Sequence, residues 1–158
     1  MATLHSTAEG MSIPRLEPNG FLPAGVHECT LAEIRERFGT FQGSDRRSIL
    51  FARLEEFIAE ARQSGIVRGL VVDGSFVTAE PAPNDIDLIV LVSTAHDFSA
   101  DLTLVEYNVL SKQRVRRRFG FDLLVAREGS LEYGRWTEFF QQLRLEPGRQ
   151  KGILKVVI

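Results

Sequence analysis

The sequence predicts one domain of the α/β or α+β class, a mixed sheet with helices packed against it. Three observations carry that expectation. Two runs of strand length, Val67–Val72 and Ile86–Val92, are apolar almost throughout, which suits strands covered on both faces. Segments around them repeat their apolar residues at the 3.6-residue period of amphipathic helices. The chain has 158 residues, 44% hydrophobic and 25% charged, enough to bury one core without disulfides.

The elements follow in order. Residues 1–20 read as a flexible N-terminal arm, because Pro14, Pro18, Asn19 and Gly20 interrupt any periodicity. Phe21 and Leu22 would pin its end to a domain over residues 21–158. Thr30 and Glu33 have the spacing of a capping box, and Leu31, Ile34 and Phe38 then face inward on a short helix ended by Gly39. A longer helix starts at Ser44 or Asp45 and stops at Gly65. Its Leu50, Leu54, Phe57, Ile58 and Ala61 fall on one face. The strand from Val67 gives way to a loop, Ser75–Asn84, that holds Pro81 and Pro83. After the second apolar run, Asp101–Arg117 reads as a helix, Phe119–Ala126 as a strand and Leu131–Leu143 as a helix capped by Ser130. Pro147 and Gly148 make a turn before a last strand, Ile153–Ile158. The expected order is α-α-β-β-α-β-α-β.

Asp85 and Asp87 stand at the head of an apolar strand, where a charge is costly. Strand side chains alternate faces, so the two carboxylates point the same way, with α-carbons roughly 6.5–7 Å apart. Without a cation they would repel; with Mg²⁺ they become ligands, and two ions can clamp an in-line phosphoryl displacement. Nine residues earlier in the chain, across positions 76–84, is Gly74-Ser75. Glycine lets backbone approach a phosphate, serine adds a hydroxyl, and the amides that follow can point at an anion. Asp122 lies inside a predicted strand, which disfavours aspartate, and can join the first two if its strand is their neighbour.

Gly74-Ser75, then Asp85-Ile86-Asp87, then a lone strand aspartate 35 residues on resembles the signature of the DNA polymerase β-type nucleotidyltransferase superfamily. The likeness is greatest to its small single-domain prokaryotic members, the minimal nucleotidyltransferases, and covers Val67 to Ala126. The resemblance implies the nucleotidyltransferase fold. It implies phosphate contact by Gly74 and Ser75, and catalytic metal binding by Asp85, Asp87 and Asp122. Two Mg²⁺ ions and an NTP, with ATP the expected one, would be used to move a nucleoside monophosphate to a hydroxyl of protein or RNA. A toxin–antitoxin setting with a cognate partner protein is a further implication. The alternative is a catalytically silent module of that fold that binds nucleotide or a partner protein. Asp73 departs from the pattern, since the residue before the Gly-Ser is usually apolar.

Plainer readings stand beside these. Asp85 can close a turn after Pro83, Gly74-Ser75 can be a turn only, and Asp122 can face water on an edge strand. The basic run Lys112, Arg114, Arg116, Arg117 and Arg118 reads first as the solvated end of a helix, second as a contact for triphosphate or RNA. Cys29 reads as a packed small residue. His5, His27 and His96 share no zinc-ligand spacing. Tyr133, Trp136, Phe139 and Phe140 read as the core face of the last helix. A formal net charge of −2 gives no DNA-binding signature. One cysteine and no apolar run of membrane-spanning length lead to the expectation of a cytoplasmic protein without membrane contact.

Overall fold

The computed structural model describes residues 13–158. Five strands form one mixed sheet: β1 (Gly25–Cys29), β2 (Val67–Asp73), β3 (Asp87–Val92), β4 (Asp122–Arg127) and β5 (Gly152–Val157). Their spatial order is β1-β5-β2-β3-β4. The outer pairs β1/β5 and β3/β4 are parallel, and β5/β2 and β2/β3 are antiparallel. Among the described residues, five α-helices accompany them: α1 (Leu31–Phe38), α2 (Arg46–Ser64), α3 (Leu104–Leu110), α4 (Lys112–Phe119) and α5 (Leu131–Gln141). The expected mixture of helices and sheet in one α+β arrangement is therefore present.

The two sheet faces are covered unequally. Leu70, Val72, Leu88, Val90 and Val92 pack with apolar residues of α1 to α4 in the larger core. The alternate residues Val71, Ile89 and Leu91 pack with Phe140 of α5, and Tyr133 and Trp136 close over them. Period-two alternation thus sends successive strand residues into two different cores, which is why these strands read as continuous apolar runs. Phe139, expected in the same face of α5, is instead 54% exposed.

Local signals place several ends. The Thr30–Glu33 capping box is formed in both directions. Gly65 takes the left-handed conformation after α2. The expected stripe Leu50, Leu54, Phe57, Ile58 and Ala61 is buried. Other boundaries differ. The single helix expected over 101–117 is two, because Ser111 is extended and its hydroxyl caps a new helix by accepting from the Arg114 amide. That new helix continues to Phe119, and left-handed Gly120 ends it, so β4 starts at Asp122 rather than at Phe119. β1 has no counterpart in the expected order; among the described residues it is an edge strand that pairs with β5 alone.

Of the arm expected over 1–20, residues 1–12 lie outside the described residues. From Ile13 the chain is held against the domain: Ile13 is buried, and Arg37 donates to the carbonyls of Ile13 and Pro14 at 2.9 and 2.7 Å. Among the described residues, no helix is long and apolar enough to cross a membrane.

Candidate functional site

Sheet register builds the site. Asp73 ends β2 and pairs with Asp87 at the head of β3; Asp87 pairs in turn with Asp122 at the head of β4. Paired residues of adjacent strands share a face, about 4.8 Å apart. Three carboxylates therefore form a row across three strands, on the α5 side of the sheet. Asp85 joins them from the loop, on the same side as Asp87, because Ile86 between them is buried in the other core. The register brings the predicted Asp85, Asp87 and Asp122 to one end of the sheet and adds Asp73, which the sequence marks only as a departure.

The four carboxylates differ in what they meet. Asp73 is buried and ion-paired with Lys151, the residue before β5. Burial pushes its carboxyl above the ordinary value, and the Lys151 charge opposes that. Asp122 is exposed and ion-paired with Arg116 in the last turn of α4. Asp85 is exposed, and its Oδ1 accepts from the Ser75 amide at 3.0 Å and from the Ser75 hydroxyl. The half-buried Asp87 side chain has no hydrogen bond or ion pair among the described residues. Its carboxyl is pushed up to about 6, first by burial and then by the negative charges of Asp85, Asp73 and Asp122, with Lys151 opposing.

The Gly-Ser bend is welded to this row. Gly74 has φ +97°, and a Cβ there would lie 2.7 Å from the Asp85 carbonyl oxygen. The Phe76 amide donates to that same oxygen at 3.2 Å. The Ser75 hydroxyl accepts from the amides of Asn84 and Asp85 at 3.0 and 3.2 Å. Ser75–Val77 form one 3-10 turn, in which the Val77 and Thr78 amides donate to Gly74 and Ser75 carbonyls. The amides expected to face an external phosphate are thus bonded inside the loop, and the Asp85 carboxylate is the anion that the Ser75 amide holds.

Two positioning residues escaped the sequence reading. Arg47 is buried beneath the loop from the α2 side, where Nη1 donates to the carbonyl of Phe76 at 2.7 Å and Nη2 to those of Thr78 and Glu80 at 2.7 and 2.6 Å. A signal existed: Arg47 lies one turn before Leu50, on the same stripe as the apolar residues of α2. Lys151 offered no such signal, since its partner Asp73 is 78 positions away. The basic run is largely spent on pairing within the chain: Arg116 on Asp122, Arg118 on Glu60, and Arg114 on the Asn108 side chain. Cys29 is partly buried, and burial pushes its thiol up to about 12, as suits a packing role.

The donor set is all oxygen, which suits a hard cation such as Mg²⁺. Among the described residues, Asp85 and Asp87 are the two of the four without an ion-paired protein cation, and a cation beside them would relieve the repulsion on Asp87. Among the described residues, no three His, Cys, Asp or Glu side chains are arranged to hold one ion; the Asp122 carboxylate is turned to Arg116 instead.

Fold and site together define an α+β protein with a five-stranded mixed sheet and a row of carboxylates beside a Gly-Ser bend. The chain belongs to the family DUF6932, described as a family of unknown function, whose model matches residues 14–157. That match begins where the packed part of the arm begins. No curated protein and no solved structure matches the chain.

Proposed function

We propose that this protein is a nucleotidyltransferase of the DNA polymerase β type, moving a nucleoside monophosphate from an NTP to a hydroxyl of a protein or RNA acceptor. The observation that carries this reading is Asp87: a half-buried carboxylate without a bonded partner among the described residues, flanked by Asp85, Asp73 and Asp122. A fold tolerates such a charge where a ligand is to neutralise it. Mg²⁺, when bound, supplies the charge that stabilises the phosphate oxygens as the transferred group moves. Asp85 and Asp87 would hold it. The Ser75 amide and hydroxyl, bonded to Asp85 Oδ1, would seat phosphate oxygens beside Gly74 if that carboxylate took up a cation instead. Asp122, one strand away, would accept the acceptor's proton once released from Arg116. ATP as the nucleotide, a cognate partner protein and a toxin–antitoxin role rest on the resemblance of the motif.

The competing reading is a module of this fold that binds nucleotide without turnover. It is favoured by the internal bonding of Ser75 and by the Arg116–Asp122 pair, which leave two expected participants occupied. One experiment separates the two. The protein is incubated with each α-labelled NTP, Mg²⁺ and a cell lysate, beside an Asp85→Asn/Asp87→Asn variant. Transfer by the native protein and a loss of about 10³-fold or more in the variant is expected. Label transferred equally by both, or by neither with any NTP, defeats the catalytic reading. A nucleotide-dependent rise in Tm without label transfer establishes the binding module.

A further inference from the structure

We propose that a recess at the other end of the sheet binds a small zwitterion, an α-amino acid, through His96, Arg68 and nearby carboxylates. The recess holds about 400 Å³ and lies where β2 begins and β3 ends. Asp87 heads β3 and Ser93, in the recess, follows its last residue, so the carboxylate row and the recess are about 20 Å apart along the strand. His96 lines the recess, and its side chain is only 7% exposed. Nε2 is buried with no hydrogen-bond partner. Nδ1 makes no hydrogen bond among the described residues either; Glu106 Oε2 lies 3.8 Å from it, beyond hydrogen-bond reach. The ring is nevertheless held in place. The His96 amide donates to the Ser93 carbonyl at 3.1 Å, Arg127 Nη2 donates to the His96 carbonyl at 3.3 Å, and the Phe98 ring meets the imidazole edge to face. Backbone bonds and an aromatic contact thus fix a buried imidazole and leave both nitrogens open. A buried polar group without a bond is costly, and a ligand that bonds to it removes that cost.

The charges that line the recess with His96 set the class of ligand. The Arg68 and Asp101 side chains make no hydrogen bond or ion pair among the described residues. Glu106 Oε1 accepts from the Thr103 amide at 2.9 Å, and Asp97 Oδ1 accepts from the Ser99 amide and hydroxyl at 2.9 and 2.6 Å. One oxygen of each of these two carboxylates therefore has no hydrogen bond. An ammonium group carries three donors, enough for a neutral imidazole nitrogen and two carboxylates. A guanidinium matches a carboxylate with two parallel bonds. A molecule bearing both groups meets both signs of charge in the recess. A plain anion would face Asp97, Asp101 and Glu106, and a plain amine would leave Arg68 unmatched.

The test is a binding measurement that needs no catalysis. The full chain is titrated by calorimetry with each of the common α-amino acids, and with n-butylamine, butyrate and glycine betaine, whose nitrogen carries no N–H. At least one amino acid is expected to bind with a Kd of about 1 mM or tighter, and each comparison compound about tenfold or more weakly than that amino acid. Arg68→Met is expected to weaken the amino acid about tenfold and to leave butylamine unchanged. His96→Phe is expected to weaken both by about tenfold or more. Binding of none of the amino acids overturns the inference. So does butylamine, butyrate or betaine bound as tightly as the amino acid, or an amino acid bound equally well by Arg68→Met or His96→Phe. Should His96→Phe not fold, the imidazole nitrogen resonances of His96 in the native protein decide: a shift on saturation supports contact with the ring, and no shift overturns it. None of these outcomes bears on the nucleotidyltransferase reading, which label transfer tests separately.

Discussion

Arg47 and Asp87 are charged side chains on opposite faces of the same sheet, either side of the Gly74–Thr78 turn, and the fold treats them in opposite ways. The Arg47 guanidinium is buried and donates to four carbonyls, of Phe38, Phe76, Thr78 and Glu80. The half-buried Asp87 carboxylate has no bonded partner among the described residues and is surrounded by like charges. A charge that the fold itself needs is met by the fold's own dipoles. A charge held without a partner costs stability and is available to something outside the chain. The first region builds the bend, and the second leaves a charge uncompensated beside it.

The contrast can be broken at four points, in descending order of effect. Arg47→Met leaves those carbonyls without donors and is expected to cost about 3–5 kcal/mol, read by denaturant unfolding; a cost below about 1 kcal/mol would show that the bend stands without its anchor. Gly74→Ala places a side chain at φ +97° against the Asp85 carbonyl and is expected to cost about 2–3 kcal/mol, with loss of the close approach between the bend and Asp85.

Asp87→Asn should act in the opposite direction. Moving its carboxyl from 3.8 to about 6 corresponds to about 3 kcal/mol at full ionisation, reduced by solvent contact to about 1–2 kcal/mol. A carboxyl raised on folding binds its proton more tightly in the folded state. Its favourable contribution is therefore complete below pH 3.8 and lost as pH rises through about 6. The variant is expected to be the more stable protein at pH 7 and to lose that advantage toward pH 4, as thermal unfolding at several pH values would reveal. An Asp87→Asn protein less stable than the native one at pH 7 would remove the distinction between the two regions. The smallest effect is expected for Asp122→Asn, which loses only the exposed pair with Arg116: below about 1 kcal/mol, and less still in high salt.

Much of this arrangement was legible in the chain, and the legible parts share a character. The Thr30–Glu33 box, the Gly65 stop, the stripe of α2 and the common side of Asp85 and Asp87 each depend on residues a few positions apart. The nearness of Asp122 depends on strand order, and the β3/β4 register meets that condition. β1 was missed because an edge strand with a half-exposed pattern has its identity set by a partner more than a hundred residues away. The break at Ser111 was missed because a capping hydroxyl and a surface serine look alike in sequence.

By itself the sequence determined the class of fold, most element types and the acidic residues that gather at one end of the sheet, since helix caps, periodicity and strand alternation act over a few residues. Tertiary structure alone decided which cation each carboxylate meets. Lys151 reaches Asp73 because β5 inserts between β1 and β2, Arg116 reaches Asp122 because α4 ends beside β4, and Asp87, in the middle of the row, is left without one. Strand order and register set those distances, and ion pairing follows distance in space whatever the separation along the chain.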